Sequence, residues 1–447
     1  MLKIKPSRRA ETAALLLGAV YIALQAFPVS LAGRAYLCDL LLPLMAYFLF
    51  EQLVIYSGGP LLKTVLLPPN VHFPSLQGFL PQYLVFSLIM ALLHILIVKG
   101  LPVLHELYEW GVFFYMGILF LFFSTLKLET KRVALCGAVL VSLVMLAFVF
   151  AMVAPFAHLP AWFCFTSPQM DSTAMSLLSR RFAFTMGNPN LFGAFYPLPF
   201  AMMTPFVFEY DWMKITFRKR LLLLPLMGIL LLPLLSSASK HGLLTLALLL
   251  SWLLPIFKLP KKPFLYLNLL VILGIAAIFE ITVLFVTFPP SARFPYINTD
   301  CGMYRLHQGT YVRMLTSHPT ALLLGMGATK AEQEYKNHVE AETVKKTLEQ
   351  YNAMASYENF LTFMDPHNEY LNQLVLFGGL ALILLLLFWF SVVKQSPYPA
   401  AAVCFVIAIL CCCLWDDLLS KRCIWVTAAF LCNQGLHHPS WYVPTPE

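Results

Sequence analysis

The chain has 447 residues, 60% of them hydrophobic and only 12% charged, with a net charge of +8 and a mean hydropathy of +0.75. Soluble domains carry about a quarter charged residues and roughly 45–50% apolar ones, so this composition excludes an ordinary soluble enzyme and a disordered protein. Ten cysteines are too sparse for a secreted disulfide scaffold, and the apolar residues come in long runs, which is the mark of membrane-spanning helices.

The opening Met1–Arg9 is basic and leads into a hydrophobic run. No small-residue cleavage pattern follows it and further apolar runs come at once, so it reads as a first transmembrane helix rather than a signal peptide. Helices are expected at about 11–29, 35–56, 79–98, 102–126, 132–156, 190–208, 220–236, 241–257, 263–287, 368–393, 398–415 and 420–436. The expected fold class is therefore an all-α integral membrane protein of about twelve transmembrane helices with a large, partly helical periplasmic loop.

An even number of spans puts both termini on one side. With the N-terminus in the cytoplasm, 16 of the 30 basic residues fall in inner segments, among them Lys3, Arg8, Lys131, Arg218, Arg220, Lys258, Lys262 and Lys394. Excess Lys and Arg in inner loops is the positive-inside pattern, and it accounts for the net charge without nucleic acid. The ninth helix contains Glu280. A charge near mid-helix costs about 2.5–3.5 kcal/mol, and the 16 Leu, Ile, Phe and Val residues between Phe264 and Thr287 return roughly 0.3–0.6 each. Insertion wins, with Glu280 facing protein rather than lipid.

Three regions follow. Residues 1–287 hold the first nine spans with a short outer segment near 157–189, 288–367 form the large outer loop, and 368–447 hold the last three spans and a cytoplasmic tail. Within the large loop, 328–352 has helix-forming composition.

The motifs of soluble enzymes are missing: there is no GxxxxGK[ST], no GxGxxG after a strand, no HExxH and no paired CxxC. Cys411-Cys412-Cys413 lies in an apolar run and reads as a set of small hydrophobes. Cys164 and Cys301 fall in outer segments and could pair in an oxidising compartment. His367, at the junction of the large loop with the tenth helix, has two readings. It is either a helix-capping histidine or a general base, since imidazole titrates near neutral pH. Arg180, Arg181, Arg305 and Arg313 share the outer compartment. They are either surface charge or a clamp on phosphate, for which a planar guanidinium suits bidentate bonding.

Four motifs carry a resemblance. Arg181-Phe-Ala-Phe-Thr-Met-Gly-Asn-Pro-Asn190 resembles the R-x-x-G-x-x-G-N-P-N signature of the O-antigen ligase/polymerase superfamily, with Phe184 where the first Gly is common. Ser236–Gly242 resembles that family's S-R-G-like helix start, with Lys240 in place of Arg. Arg305 followed by His318-Pro319 and Gly325-Met326-Gly327 resembles its Arg…HPl-x-G-x-G segment. His367-Asn368, nine residues, then Gly378-Gly-Leu-Ala381 is similar to the ligases' H-[NSQ]-x9-G-x-x-[GTY] pattern except in its last residue.

The resemblance implies an inverting glycosyltransferase that needs no cofactor and no metal, and the chain has no Asp-x-Asp to hold one. Its donor is a glycan on undecaprenyl diphosphate and its acceptor, for a ligase, a sugar hydroxyl of the lipid A–core. It implies an inner-membrane protein with its site facing the periplasm. The catalytic residues it implies are His367 as the base and Arg181 and Arg305 on the departing diphosphate. Arg180, Arg313, Lys240, Asn188, Asn190 and Asn368 are the candidates for substrate binding, and Asn190 or Asp365 could orient His367. A polymerase of the same superfamily, a protein O-oligosaccharyltransferase, or a carrier that moves lipid-linked glycan without chemistry remain as alternatives. A carrier is expected to show charges along a central path inside the spans.

Overall fold

A computed structural model describes residues 8–27, 30–32, 35–57, 79–97, 103–126, 128–153, 164–165, 181–186, 188–237, 239–285, 295–350, 357–362, 366–416 and 418–433. The expected positions of Arg180, Asp365 and the cytoplasmic tail lie outside these residues.

The first half of the chain contributes α1 (Arg8–Ala26), a 3-10 turn at Leu37–Leu41, α2 (Leu42–Ser57), α3 (Leu80–Ile97), α4 (Val103–Thr125) and α5 (Thr130–Val153). Next come α6 (Pro189–Phe195), α7 (Pro197–Glu209), α8 (Phe217–Leu221), α9 (Leu223–Ser237), α10 (Gly242–Phe257) and α11 (Lys261–Phe285). Two short antiparallel strand pairs, Ser30–Ala32 with Ala35–Tyr36 and Cys164–Phe165 with Arg181–Phe182, are the only strands described.

Seven helical stretches are long and apolar enough to cross a membrane: Leu80–Ile97, Val103–Thr125, Thr130–Ala151, Pro189–Glu209, Phe217–Ser237, Lys261–Ile278 and Gly378–Gln395. The other expected spans coincide with apolar helices of 10–17 residues, short of the ~20 residues that a straight crossing takes. Seven crossings are therefore supported among the described residues, where the apolar runs suggested twelve.

The apolar stretches divide by what they face. α18 (Gly378–Gln395) buries Ala381, Leu385, Phe388, Trp389 and Val392 at helical spacing and leaves Leu380, Ile383 and Phe390 exposed. That outward apolar face is what a membrane protein offers to lipid. α20 (Arg422–Cys432) is different, because Cys423 through Cys432 are all buried. A helix apolar on every side belongs inside a bundle, and α20 packs there on α4 and α7, while α19 (Pro399–Cys412) packs on α10, α11 and α18.

One end of the bundle is basic. Arg220 donates to the Ile256 carbonyl at 3.0 Å, Tyr398 donates to Glu209 at 3.0 Å, and Asn433 donates to the carbonyls of Phe123 and Leu126. These bonds gather the helix ends that carry Lys131, Arg132, Arg218, Lys219, Lys258 and Lys394.

At the opposite end, the segment after α11 folds as α12 (Pro295–Ser317), α13 (Ala321–Leu324), α14 (Ala328–His338), α15 (Ala341–Gln350) and α16 (Tyr357–Leu361). The stretch of helix-forming composition at 328–352 holds two helices, parted at Val339-Glu340. The expected helix at 368–393 is also two, α17 (Glu369–Leu376) and α18, parted at Phe377. The cause is Gly378, whose φ of 85° an L-residue rarely adopts, and on whose side a Cβ would strike the Leu323 carbonyl. Gly325, at φ 71°, would in turn place a Cβ 2.6 Å from the Leu376 carbonyl, and Met326 N–H donates to the Val375 carbonyl at 2.7 Å. Two motif glycines let the backbones around α13 and the α17–α18 break touch.

A buried carboxylate completes the attachment. Glu106, 3% exposed in the first turn of α4, accepts from Ala328 N–H at 3.0 Å and Thr329 N–H at 2.8 Å. It thereby closes the N-terminus of α14, where the helix dipole favours an anion. Gly327 must lack a side chain there, because a Cβ would lie 2.7 Å from Glu106 Oε2.

Replacing Glu106 by Ala orphans two buried N–H groups, at about 1–3 kcal/mol each. The expected result is faster amide exchange across 328–338 in detergent-solubilised protein, with α7 and α20 unchanged. Gly378→Ala should fail to give folded protein at all. Unchanged protection at 328–338 in Glu106→Ala would show that the carboxylate is not what holds α14.

Candidate functional site at the end of the helix bundle

The site is built from segments far apart in sequence. Asn188 caps α6, its side-chain oxygen accepting from Asn190 N–H at 2.8 Å and from Leu191 N–H, with Pro189 at the first helical position. The turn before α10 crosses α6 at Gly193, where a Cβ would strike the Ser239 hydroxyl and lie 3.2 Å from His241 Cβ. That approach seats His241 between two oxygens. Its Nδ1 donates to the Asn190 carbonyl at 2.9 Å, and its Nε2 lies 3.0 Å from Asp416 Oδ2.

Asp416 follows α19. Lys421 Nζ reaches its Oδ1 at 3.0 Å, and His367 Nδ1 stands 3.9 Å from the same oxygen. The strand of chain carrying Asp416 is held by the loop helices and α17. Asn368 and Gln308 both donate to the Leu414 carbonyl at 3.3 Å, Glu369 N–H donates to the Cys413 carbonyl at 2.8 Å, and Tyr370 donates to the Leu410 carbonyl at 2.6 Å. His367 itself has a φ of 48°. Left-handed backbone is uncommon outside Gly, Asn, Asp and His, and here it turns the chain into α17 with Asn368 as the cap, accepting from Leu371 N–H.

His307, on α12, is fully buried, with its ring 6.4 Å from that of His367 and its Nδ1 2.8 Å from the Tyr335 hydroxyl. Burial, and then the charge of His367 beside it, push the His307 imidazole down to about 4.

A second cluster faces this one. Arg422 Nε and Nη2 bond the two oxygens of Asp39 at 2.8 and 2.6 Å, and Tyr115 donates to Asp39 Oδ1 at 2.6 Å. The guanidinium also lies over the rings of Tyr36 and Tyr115, at 5.0 and 5.4 Å. Between the clusters opens a cavity of about 1110 Å³, lined by His367, Asp416, Lys421, Asn188 and Asn190 on one side and Asp39, Tyr115 and Arg422 on the other. Leu42, Val112, Met116 and Leu191 supply an apolar flank.

His367, Asn188, Asn190 and Asn368 therefore converge at this end of the bundle, although the two asparagine caps are occupied with backbone. Lys240 sits beside them, its carbonyl accepting from the Cys412 thiol at 3.8 Å. Arg313 is elsewhere: it holds the loop together through the His338 carbonyl at 3.2 Å and Glu340 at 3.3 Å. Arg181 lies in a two-residue strand and Arg305 in α12, and their side chains fall outside the described residues, as do those of Glu280, Cys164 and Cys301. Among the described residues no three His, Cys, Asp or Glu side chains are arranged to hold a metal.

Sequence reasoning passed over His241, His307, Asp416, Lys421, Arg422, Asp39 and Tyr115. A signal was present for some of them. Asp416-Asp417 and Lys421-Arg422 put four charges in seven residues between two apolar helices, and charge at the edge of an apolar span asks for a partner. Comparisons with protein-family models, with curated proteins and with solved structures find no match to this chain.

The His307 environment has a pH consequence. Its folded value lies near 4 and its unfolded value near 6.5, so the unfolded chain binds the extra proton between those limits. Stability should then rise with pH from about 4 to about 6.5 and be independent of this group above that. One site contributes at most about 1.4 kcal/mol per pH unit. His307→Gln should flatten the thermal-unfolding profile of the solubilised protein over that window. A profile as steep as the wild type's would assign the dependence to other groups.

Proposed function

We propose that this chain is an inverting membrane glycosyltransferase of the O-antigen ligase type. It moves a glycan from undecaprenyl diphosphate to a sugar hydroxyl of the lipid A–core. The observation that carries this reading is a large cavity, apolar on its flank, into which an imidazole beside a carboxylate and two cations face from one end of the helix bundle. The four-motif resemblance supports it too, because His367, Asn188, Asn190 and the motif glycines meet at that end. Both termini and the basic end of the bundle are assigned to the cytoplasm, in a layout of twelve crossings of the bacterial inner membrane, and the cavity and the 288–367 segment to the periplasm.

In this reading the anomeric bond to diphosphate is already activated. The acceptor hydroxyl attacks the anomeric carbon from the face opposite the diphosphate, a new glycosidic bond forms with inversion, and undecaprenyl diphosphate leaves with the electron pair. His367 takes the hydroxyl proton, worth about 10²–10⁴-fold in rate. Charge grows on the departing diphosphate, and fixed cations aimed at it lower the barrier. Arg181 and Arg305 are assigned to that task, and Lys421 and Arg422, each paired with a carboxylate, line the cavity. The lipid tail lies along the apolar flank.

The test is transfer by the purified protein from a lipid-linked glycan to lipid A–core, to a second lipid-linked repeat unit, and to an acceptor peptide in turn. His367→Asn suits the left-handed backbone better than Ala and should cut transfer at least 10²-fold with normal membrane insertion. Arg181→Lys and Arg305→Lys should be strongly impaired, since they keep charge but lose the planar fork. Transfer should survive EDTA. Product on the repeat unit alone, near-normal transfer by His367→Asn, or an EDTA loss restored by Mg²⁺ would each overturn the corresponding part of this assignment.

A further inference from the structure

We propose that Asp416 and Lys421 are a pair of positioning residues of opposite effect on His367, the carboxylate drawing a proton onto its imidazole and the ammonium holding that pull in check. Its catalytic meaning rests on His367 being the base, but the arrangement itself does not.

Three positive or potentially positive groups share one carboxylate. His241 approaches Oδ2 at 3.0 Å from a position 2% exposed and anchored on the Asn190 carbonyl. Lys421 and His367 approach the other oxygen, Oδ1, at 3.0 and 3.9 Å. The nearer partner is thus the ammonium. The distance to His367 exceeds that of a hydrogen bond, so the imidazole, 31% exposed, feels the carboxylate as a charge. His241 cannot take this part, because both of its ring nitrogens already face oxygens.

The other charges around His367 do not explain the arrangement. His307 on α12 lies 6.4 Å away ring to ring and is kept neutral above about pH 4 by its burial. Glu369, in the first turn of α17, accepts from Gln373 at 2.8 Å and is buried. Lys240, in the turn that carries His241, meets the Cys412 thiol through its backbone carbonyl. Asp39 and Arg422 are bound to each other across the cavity. That leaves Asp416 and Lys421 as the described charges brought to His367 by a common atom. A base in such a place needs a proton affinity high enough to take the hydroxyl's proton and low enough to be free beforehand. One carboxylate alone pushes toward the first, one ammonium alone toward the second.

The proposal separates from a merely structural role by sign. Removing a nearby negative charge lowers a histidine's proton affinity and removing a nearby positive one raises it. The experiment is acylation by diethyl pyrocarbonate, which attacks an imidazole only in its neutral form, across pH 5–8 in detergent. It is read at the His367 peptide by mass spectrometry, and needs no glycan. In Asp416→Asn the His367 midpoint should move to lower pH, and in Lys421→Met to higher pH, each by on the order of half a unit or more. Midpoints that stay put, or that move the same way in both variants, would overturn the pairing. If Asp416→Asn does not accumulate in the membrane, the direction in Lys421→Met decides alone, and a downward or absent shift sinks the proposal. Correct shifts in a protein that transfers no glycan would leave this inference standing and reject the glycosyltransferase assignment.

Discussion

The start of α20 is held by its two cations, each on a carboxylate from a different part of the chain. Lys421 meets Asp416 from the end of α19, and Arg422 meets Asp39 from the turn before α2. All four are largely out of water, with side chains 10–20% exposed. Charges in such places stay ionised only when paired, and breaking one pair leaves the survivor uncompensated at about 3–5 kcal/mol. Behind them the helix is apolar on every side and buried from Cys423 to Cys432. The hydrophobic core draws the helix in, and the two ion pairs fix how far its first turn protrudes. All four charged residues line the cavity, so the Lys421-Arg422 turn is part of its wall.

The loop helices are attached to this end at several independent points. Glu106 caps α14, Gly325 and Gly378 let two backbones meet, and Gln308 and Asn368 share the Leu414 carbonyl two residues before Asp416. Displacement of α12 would therefore be felt at Asp416 through a single residue. The same attachment carries His307 to within 6.4 Å of His367. α12 is thus part of the wall around His367 rather than a tether between spans.

Where the apolar helices lie was legible, because apolar runs fix them without regard to partners, while α12, too polar to form such a run, was not expected. How they break was less so. The α17–α18 interruption depends on the Leu323 carbonyl lying against Gly378, and a glycine inside an apolar run carries no such message by itself. His367 and Asn368 were legible as a helix start. The pairing of Asp39 with Arg422 spans 383 positions and has no local pattern to announce it. The central cluster was hidden for another reason: His241 reads as one more residue of a polar turn until Gly193 allows that turn to lie on α6.

Phe184 shows how a bulky residue can hold a left-handed turn. Its φ is 54°. A non-glycine residue there costs about 1–2 kcal/mol of backbone strain. The ring offsets that cost by burial, at 4% exposure, with Phe27 and Phe192 at 6.0 and 6.4 Å. The left-handed turn at Phe184 directs the chain toward Asn188 and α6. Since the Asn190 carbonyl at the start of α6 is what anchors His241, and His241 in turn meets Asp416, the backbone geometry demanded at position 184 is transmitted to the carboxylate beside His367. A glycine would supply that geometry at less strain, while the phenylalanine adds a packed ring that holds the turn against α1.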